Sequence, residues 1–194
     1  MNRKSVLSGK KAEKIFNDLQ EVYSELDDQF KNSFDRSLPF SESIFDRWER
    51  AKKLGWGEET SVYNNSFIFG KVQVGKKCWI GPFTIIDGSG GLTIGDNCTI
   101  SAGTHIYSHD NIKQTLSGGK LPIEKKPVSI GSNTYISPNV IVTKGVTIGN
   151  FCLIGANSLV KNDFPDCSII AGNPAKKIGT VEFENDQIKL IYSK

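Results

Sequence analysis

Aliphatic residues recur at a spacing of six along this chain, and this spacing constrains the fold more than any other feature. One run comprises Ile130, Ile136, Val142, Ile148, Ile154 and Val160. An earlier run comprises Ile68, Val74, Ile80 and Ile86 and, after a slip of two residues, Ile94, Ile100 and Ile106. Neither the 3.6-residue period of a helix nor the alternation of an ordinary strand produces a step of six. A parallel β-helix does, because each flat side of its coil takes one hexapeptide. The spacing therefore predicts an all-β fold of this kind.

The rest of the chain divides around this coil. We assign residues 1–58 to an N-terminal helical region, 59–180 to the β-helix and 181–194 to a C-terminal tail that forms a strand or an extended arm. Apolar residues at helical spacing predict helices over 8–35 and 43–54. A short turn-rich insertion at 87–91 and a long polar one at about 108–126 interrupt the coil. A long loop extruded from a regular coil is usually functional.

Composition excludes several classes of protein. The net charge of +3 is too small for a typical nucleic-acid-binding protein, which carries a concentrated basic stripe. We expect a cytoplasmic protein without a transmembrane segment, because neither a signal-like start nor a long apolar run is visible. Three of the four cysteines, Cys78, Cys98 and Cys152, lie four residues after a ladder aliphatic, and we expect them inside the coil. The sequence contains no Cys-x-x-Cys pair, so a zinc or redox site formed by cysteines is not expected.

Three segments of the chain resemble the hexapeptide-repeat acyltransferases, most closely the maltose, galactoside and bacterial polysaccharide O-acetyltransferases. They are IGDN at 94–97; THIYSHD at 104–110 with the loop and KPVSIGSNTYI at 126–136; and GVTIGNFCLIGANSLVKND at 145–163, continuing into AGNPAKKIG at 171–179. The resemblance covers about residues 60–180. It implies a left-handed β-helix, a homotrimer, and acetyl-CoA held between adjacent coils. It does not specify the substrate.

Acetyl transfer to a hydroxyl needs a base, and histidine suits this role because its ordinary pKa lies near neutrality. The chain has only two histidines, His105 and His109. The family carries its base just before the loop, which corresponds here to Ser108-His109-Asp110, so the resemblance assigns His109 as the base and His105 as the second candidate. A histidine base needs an orienting partner, for which Asp87 and Asp110 are the carboxylate candidates. We predict that Asp87, His105 and Asp110 bind the substrate, and that Asp87 also assists catalysis.

The resemblance also implies a site for acetyl-CoA. Its predicted residues are Ser137, Gly155, Ala156, Asn157, Lys161, Asn162, Lys176 and Lys177. A backbone N–H of Ser137 or Asn139 is expected to stabilise the oxyanion, because Pro138 between them has none. Lys176 and Lys177 either meet the CoA phosphates or form a solvated surface pair.

The predicted activity is acetyl-CoA-dependent O-acetylation of a sugar or polysaccharide precursor, with a histidine base. The alternative is N-acetylation of an amino sugar or nucleotide-linked amino sugar. A zinc protein like the γ-class carbonic anhydrases is a remote alternative, because a catalytic zinc site needs three ligands and the two histidines are only four residues apart. We therefore expect no metal. A non-enzymatic β-helix scaffold is the last alternative, and the long loop argues against it.

Overall fold

The computed structural model describes residues 3–185 and 187–193 and divides the chain into two compact units, 1–46 and 47–194. The first unit contains α1 (Arg3–Leu7), α2 (Ala12–Phe34) and α3 (Phe40–Ile44), and the second contains α4 (Arg47–Lys53), α5 (Ile112–Leu116) and all of the strands. The predicted helix over 8–35 is confirmed in its main part by α2. The predicted single helix over 43–54 is wrong: Phe45 adopts an extended backbone (φ −107°, ψ 123°), which ends α3.

The strands of the second unit form a parallel β-helix with three flat faces. The first face contains β1 (Ser61–Val62), β3 (Trp79–Ile80), β5 (Thr99–Ile100), β10 (Tyr135–Ile136), β13 (Leu153–Ile154) and β15 (Ser168–Gly172). The second face contains the first halves of β2 (Phe67–Val74) and β4 (Ile85–Ile94), followed by β6 (His105–Ile106), β11 (Ile141–Val142) and β14 (Leu159–Val160). The third face contains the second halves of β2 and β4, then β9 (Val128–Ile130), β12 (Thr147–Ile148) and a bridge to Phe164.

The hexapeptide ladder forms the core of this coil. Its members point inward, and all are buried except Ile68 in the first coil, which is half-buried. The predicted position of the three cysteines is confirmed, since Cys78, Cys98 and Cys152 are buried at one inner corner. Thr60 and Thr134 occupy the same corner in other coils, where their hydroxyls accept the N–H groups of Cys78 and Cys152 (3.0 and 3.3 Å). This column therefore carries hydrogen bonds between coils as well as filling space.

Both insertions lie at the corner between the second and third faces. The short one separates Ile86 from Ile94 in the second coil, and the long one separates Ile106 from Ile130 in the third. Because Ile86 pairs with Ile106 and Ile94 with Ile130, the two insertions begin and end one above the other. The long insertion contains α5 and a two-stranded ladder of β7 (His109–Asp110) with β8 (Glu124–Lys125).

A β-hairpin follows the last coil. β16 (Ala175–Glu184) pairs antiparallel with β15 and then with β17 (Gln187–Tyr192). The predicted boundary between coil and tail at 180 and 181 falls within β16, and the tail is strand over 181–184 and 187–192. No helix in the described ranges is long and apolar enough to cross a membrane.

Candidate active site

The two insertions bring Asp87 and His109 together. Asp87 directly follows Ile86 on β4, and Ser108 and His109 follow Ile106 of the next coil. The His109 Nδ1 atom lies 2.6 Å from the Asp87 Oδ2 atom. The parallel register therefore joins a carboxylate and an imidazole that are 22 residues apart in sequence.

The Asp87 carboxylate is buried and accepts several hydrogen bonds. Its side chain is 1% exposed. Oδ1 accepts the Ser89 N–H (3.0 Å), and Oδ2 accepts the Ser108 N–H (2.9 Å) and the Ser108 hydroxyl (3.2 Å). Burial raises the pKa of Asp87, but the hydrogen bonds from Ser89, His109 and Ser108 outweigh it and lower the pKa to about 2. Asp87 is therefore an anion at neutral pH.

The ionised Asp87 determines which nitrogen of His109 carries the proton in the neutral ring. A carboxylate can only accept, so Nδ1–H donates to Asp87 and Nε2 keeps its lone pair. The His109 side chain is 37% exposed. The ring is thus oriented on one side and accessible on the other, which is the arrangement of a general base with its orienting partner.

A cleft of about 460 Å³ opens beside His109. Tyr107, His109, Asp110, Asn111, Ile112, Ile123, Thr143 and Lys144 line it. Ser108 lies between the lining residues Tyr107 and His109 at the root of the loop, where its carbonyl accepts the Lys126 N–H (2.9 Å) and its hydroxyl accepts the Gly90 N–H (2.7 Å). A Cβ at Gly90 would lie 2.3 Å from the Ser108 carbonyl oxygen, so the short insertion must have glycine there.

The predicted substrate residue Asp110 lines this cleft and is paired with Lys144 of the fourth coil. Lys144 also contacts Glu124 (3.1 Å), which in turn binds Lys113 (2.6 Å). The side-chain hydrogen bond from Lys144 lowers the pKa of Asp110. The hydrogen bonds that Lys144 makes with Asp110 and Glu124 raise the pKa of Lys144. The single sequence did not suggest Lys144 or Glu124. The ladder register could have indicated Lys144. Ile106 pairs with Val142, so Ser108 and Lys144, which each follow two residues later, lie in adjacent coils at the same corner.

His105, the second histidine, lies on the outer side of the second face rather than with Asp87. Its Nδ1 atom is 3.3 Å from the Tyr107 hydroxyl, and the two rings are in edge-to-face contact with centroids 5.9 Å apart. Its strand neighbours are Ile85 and Ile141 of the adjacent coils. Tyr107 connects it to the cleft, because this tyrosine also lines the cavity.

The predicted CoA residues are divided between different parts of the coil. Ser137 and the 155–157 segment lie at the corner between the first and second faces, away from the His109 corner. Lys161 and Asn162 are exposed at the same corner as His109, two coils further on. Lys176 and Lys177 are exposed on β16. One chain therefore does not bring Ser137 and Ala156 to His109.

Backbone hydrogen bonds distinguish these residues further. The Ser137 N–H donates to the Ile154 carbonyl (3.0 Å) and the Asn139 N–H to the Ala102 carbonyl (3.0 Å), so the coil already uses both predicted oxyanion donors. Ala156 is an exposed residue, and its N–H has no hydrogen-bond partner among the described residues. Ala156 therefore offers a free donor to a ligand. Over the same residues, no group of three or more His, Cys, Asp or Glu side chains is placed to hold a metal ion.

Comparison with known proteins agrees with the coil. Residues 127–162 match the family described as bacterial transferase hexapeptide (six repeats), and residues 71–108 match the hexapeptide repeat of succinyl-transferase. These two matches place hexapeptide repeats of transferase families in the coil. It is 32% identical to the galactoside O-acetyltransferase of Escherichia coli K12 over 111 residues, or 53% of each chain. The chain thus spans about half the length of that curated relative.

Solved structures share the fold over more of the chain. A maltose O-acetyltransferase from Clostridium difficile 630 is 25% identical, with a TM-score of 0.50, and the match covers 94% of this chain and 98% of that one. A hexapeptide-repeat acetyltransferase from Vibrio cholerae, solved with acetyl-CoA, is 23% identical with a TM-score of 0.50, over 84% and 87% of the two chains. At this identity the second likeness bears on the fold alone.

Proposed function

We propose that this hexapeptide-repeat protein is an acetyl-CoA-dependent O-acetyltransferase that acylates a hydroxyl of a sugar or polysaccharide precursor. The observation that carries the proposal is the hydrogen bond between His109 and buried, ionised Asp87 at the edge of an open cleft. Such a pair supplies an oriented base at neutral pH. The similarity to a galactoside O-acetyltransferase supports a sugar hydroxyl as the acceptor.

In the proposed reaction, His109 Nε2 removes the proton of the acceptor hydroxyl as its oxygen attacks the thioester carbonyl of acetyl-CoA. Asp87 stabilises the imidazolium that forms, because its carboxylate accepts the Nδ1–H bond. The tetrahedral intermediate collapses with cleavage of the carbon–sulfur bond. The imidazolium returns its proton to the CoA sulfur, so the products are the acetyl ester and CoA with free thiol.

We propose that the enzyme is a homotrimer that works in the cytoplasm. The separation of His109 from the corner that carries Ser137 and Ala156 supports assembly, because a neighbouring subunit would then contribute the second corner. There the free Ala156 N–H is suited to bond the pantetheine amides, with Gly155 and Asn157 beside it. We assign the CoA phosphates to exposed Lys161, Lys176 and Lys177, next to Asn162.

Titration calorimetry with acetyl-CoA, followed by CoA release with candidate acceptors, tests this function. We expect saturable binding of about one acetyl-CoA per chain, and thiol release with galactosides, maltose or related glycans. Matched acceptors with an amine in place of the hydroxyl separate O- from N-acetylation. Absence of binding on folded protein would refute the function, whereas exclusive turnover of amines would replace it with N-acetylation.

A further inference from the structure

The pairing of Lys144 with two carboxylates is not explained by the proposed acetyl transfer. Lys144 belongs to the fourth coil, at the corner directly above the root of the long loop. Its side chain is 17% exposed, which is low for a lysine, and it lines the same cleft as His109. A half-buried lysine that lines the cleft of the candidate base therefore needs a role.

Lys144 joins both ends of the loop. Asp110 is the residue after His109 on the outgoing strand β7, and Glu124 lies opposite Asp110 on the returning strand β8. Lys144 contacts both carboxylates, so one ammonium group of the coil holds the two strands at their paired position. Lys113 of α5 extends the network through Glu124. The charges alternate, so each contact is attractive.

The loop has little other support. α5 contains no buried residue, and Ile112, Leu116 and Ile123 are all exposed. The β7–β8 ladder pairs only two residues on each strand. Ordering a long loop costs conformational entropy, and a segment without buried apolar contacts opens readily. The contacts of Lys144 with Asp110 and Glu124 therefore contribute much of the interaction that keeps the loop ordered.

We propose that Lys144 is a positioning residue, which ties the loop to the coil through Asp110 and Glu124 and thereby holds the His109 backbone so that the imidazole meets Asp87. The aliphatic part of Lys126 packs on Gly145, the residue after Lys144, and adds a second contact between loop and coil. A Cβ at Gly145 would lie 3.1 Å from the Lys126 Cδ atom. A role for Lys144 in binding a ligand anion is less consistent with its contacts, because two carboxylates already neutralise its charge.

Two readouts that need no substrate test this role in Lys144→Met. The first is the rate of trypsin cleavage after Lys113 and Lys120 in the loop, which we expect to rise by about fivefold or more because the loop opens more often. The second is the imidazole NMR spectrum, in which only two histidines contribute signals. We expect the NMR signal of the His109 Nδ1 proton to lose intensity because this proton exchanges faster with water. The His105 signals should not change.

Matched variants make the outcome decisive. Lys144→Arg keeps the charge and should restore both readouts, whereas Lys71→Met removes an exposed lysine of the first coil and should change neither. Should Lys144→Met not fold, the double variant Asp110→Asn, Glu124→Gln removes the same contacts from the loop side. Wild-type trypsin sensitivity and an unchanged His109 spectrum in a folded variant would overturn the proposal.

A kinetic measurement connects this inference to the proposed function. Of the three readouts, only this one rests on the proposed function. We expect Lys144→Met to lower kcat by about tenfold with little change in the KM for acetyl-CoA, because base orientation is impaired and the CoA residues are elsewhere. A wild-type kcat would contradict the positioning role. If the wild-type protein does not turn over acceptors, the trypsin and NMR results still decide the role of Lys144.

Discussion

At the scale of single residues, the pairing of Asp87 with His109 connects the sequence to a chemical role. The bonded Nδ1–H leaves Nε2 free, and the exposed side of the ring faces the cleft. His109→Ala should lower turnover by about 100-fold or more, because the oriented base is removed. Release of CoA thiol measures the effect, and thermal unfolding checks that the coil is intact.

His105→Ala is the matched control for this experiment. It removes the other imidazole of the chain and leaves the His109–Asp87 bond in place. We expect a loss of less than about tenfold, because His105 contacts the cleft only through Tyr107. A larger loss in His105→Ala than in His109→Ala would transfer the role of base to His105.

Asp87 makes stability depend on acidity. Its pKa is about 2 in the folded protein, below the ordinary 3.8, so its stabilising effect is full above about pH 4 and is lost as the pH falls from 4 to 2. Asp87→Asn should therefore be less stable than wild type at pH 7, and the difference should shrink towards pH 2. Urea unfolding of both proteins at pH 7 and pH 3 measures the change. A difference that does not depend on pH would contradict this role of the carboxylate.

At the scale of elements, glycine at position 90 allows the two insertions to stack. Gly90→Ala should lower the free energy of unfolding by about 1–3 kcal/mol, because the Ser108 carbonyl must move away from the new methyl group. Gly118→Ala is the control, since its Cβ meets open space and only its positive φ adds strain. Chemical denaturation compares the two variants. If Gly90→Ala loses no more free energy of unfolding than Gly118→Ala, the backbone at Ser108 moves away from the new methyl group without a loss of stability.

The long loop is separable from the coil in register. Deleting residues 108–125 leaves five residues between Ile106 and Ile130, as between Val142 and Ile148. We expect the shortened protein to fold because the inward ladder is unchanged, with a lower melting temperature because buried Asp87 loses its hydrogen bonds from Ser108 and His109, and to lose activity together with His109. Circular dichroism and thiol release measure the two outcomes. Failure to fold would mean that the loop is part of the core.

The sequence predicted the coil well and the site only partly, for a physical reason. The period of six assigns each ladder residue to a face, and register then stacks Asp87 under the start of the loop. The contacts of Lys144 with Asp110 and Glu124 depend on how the loop returns, which no repeat encodes. Likewise, the use of the Ser137 N–H within the coil becomes visible only when each inter-coil hydrogen bond is known.

At the scale of the whole molecule, the outer sides of the coil differ in polarity. The outward positions of the third face are polar, namely Gln73, Thr93, Ser129 and Thr147. On the second face, the outward row is Phe67, Ile85, His105, Ile141 and Leu159, in which Phe67 and Ile141 are exposed and the other three are half-buried. A largely apolar outer surface typically marks a protein–protein interface. We therefore expect the second face to pack against neighbouring chains of the proposed trimer.

Paired substitutions on one coil test this assembly. Ile141→Glu places a charge on the apolar second face and should dissociate the trimer and abolish thiol release, whereas Thr147→Glu on the polar third face should change neither. Sedimentation velocity measures the oligomeric state. A wild-type monomer, or an Ile141→Glu variant that remains trimeric, would contradict an interface at this face.

The common corner of the two insertions has an evolutionary consequence. Residues added between the second and third faces leave the later ladder in phase, since Ile130 continues directly from Ile106. Natural selection can therefore lengthen, shorten or exchange the segment beside the proposed acceptor site while the coil is inherited unchanged. Relatives with different acceptors are then expected to diverge most at this corner, and one ancestral scaffold can give rise to many specificities.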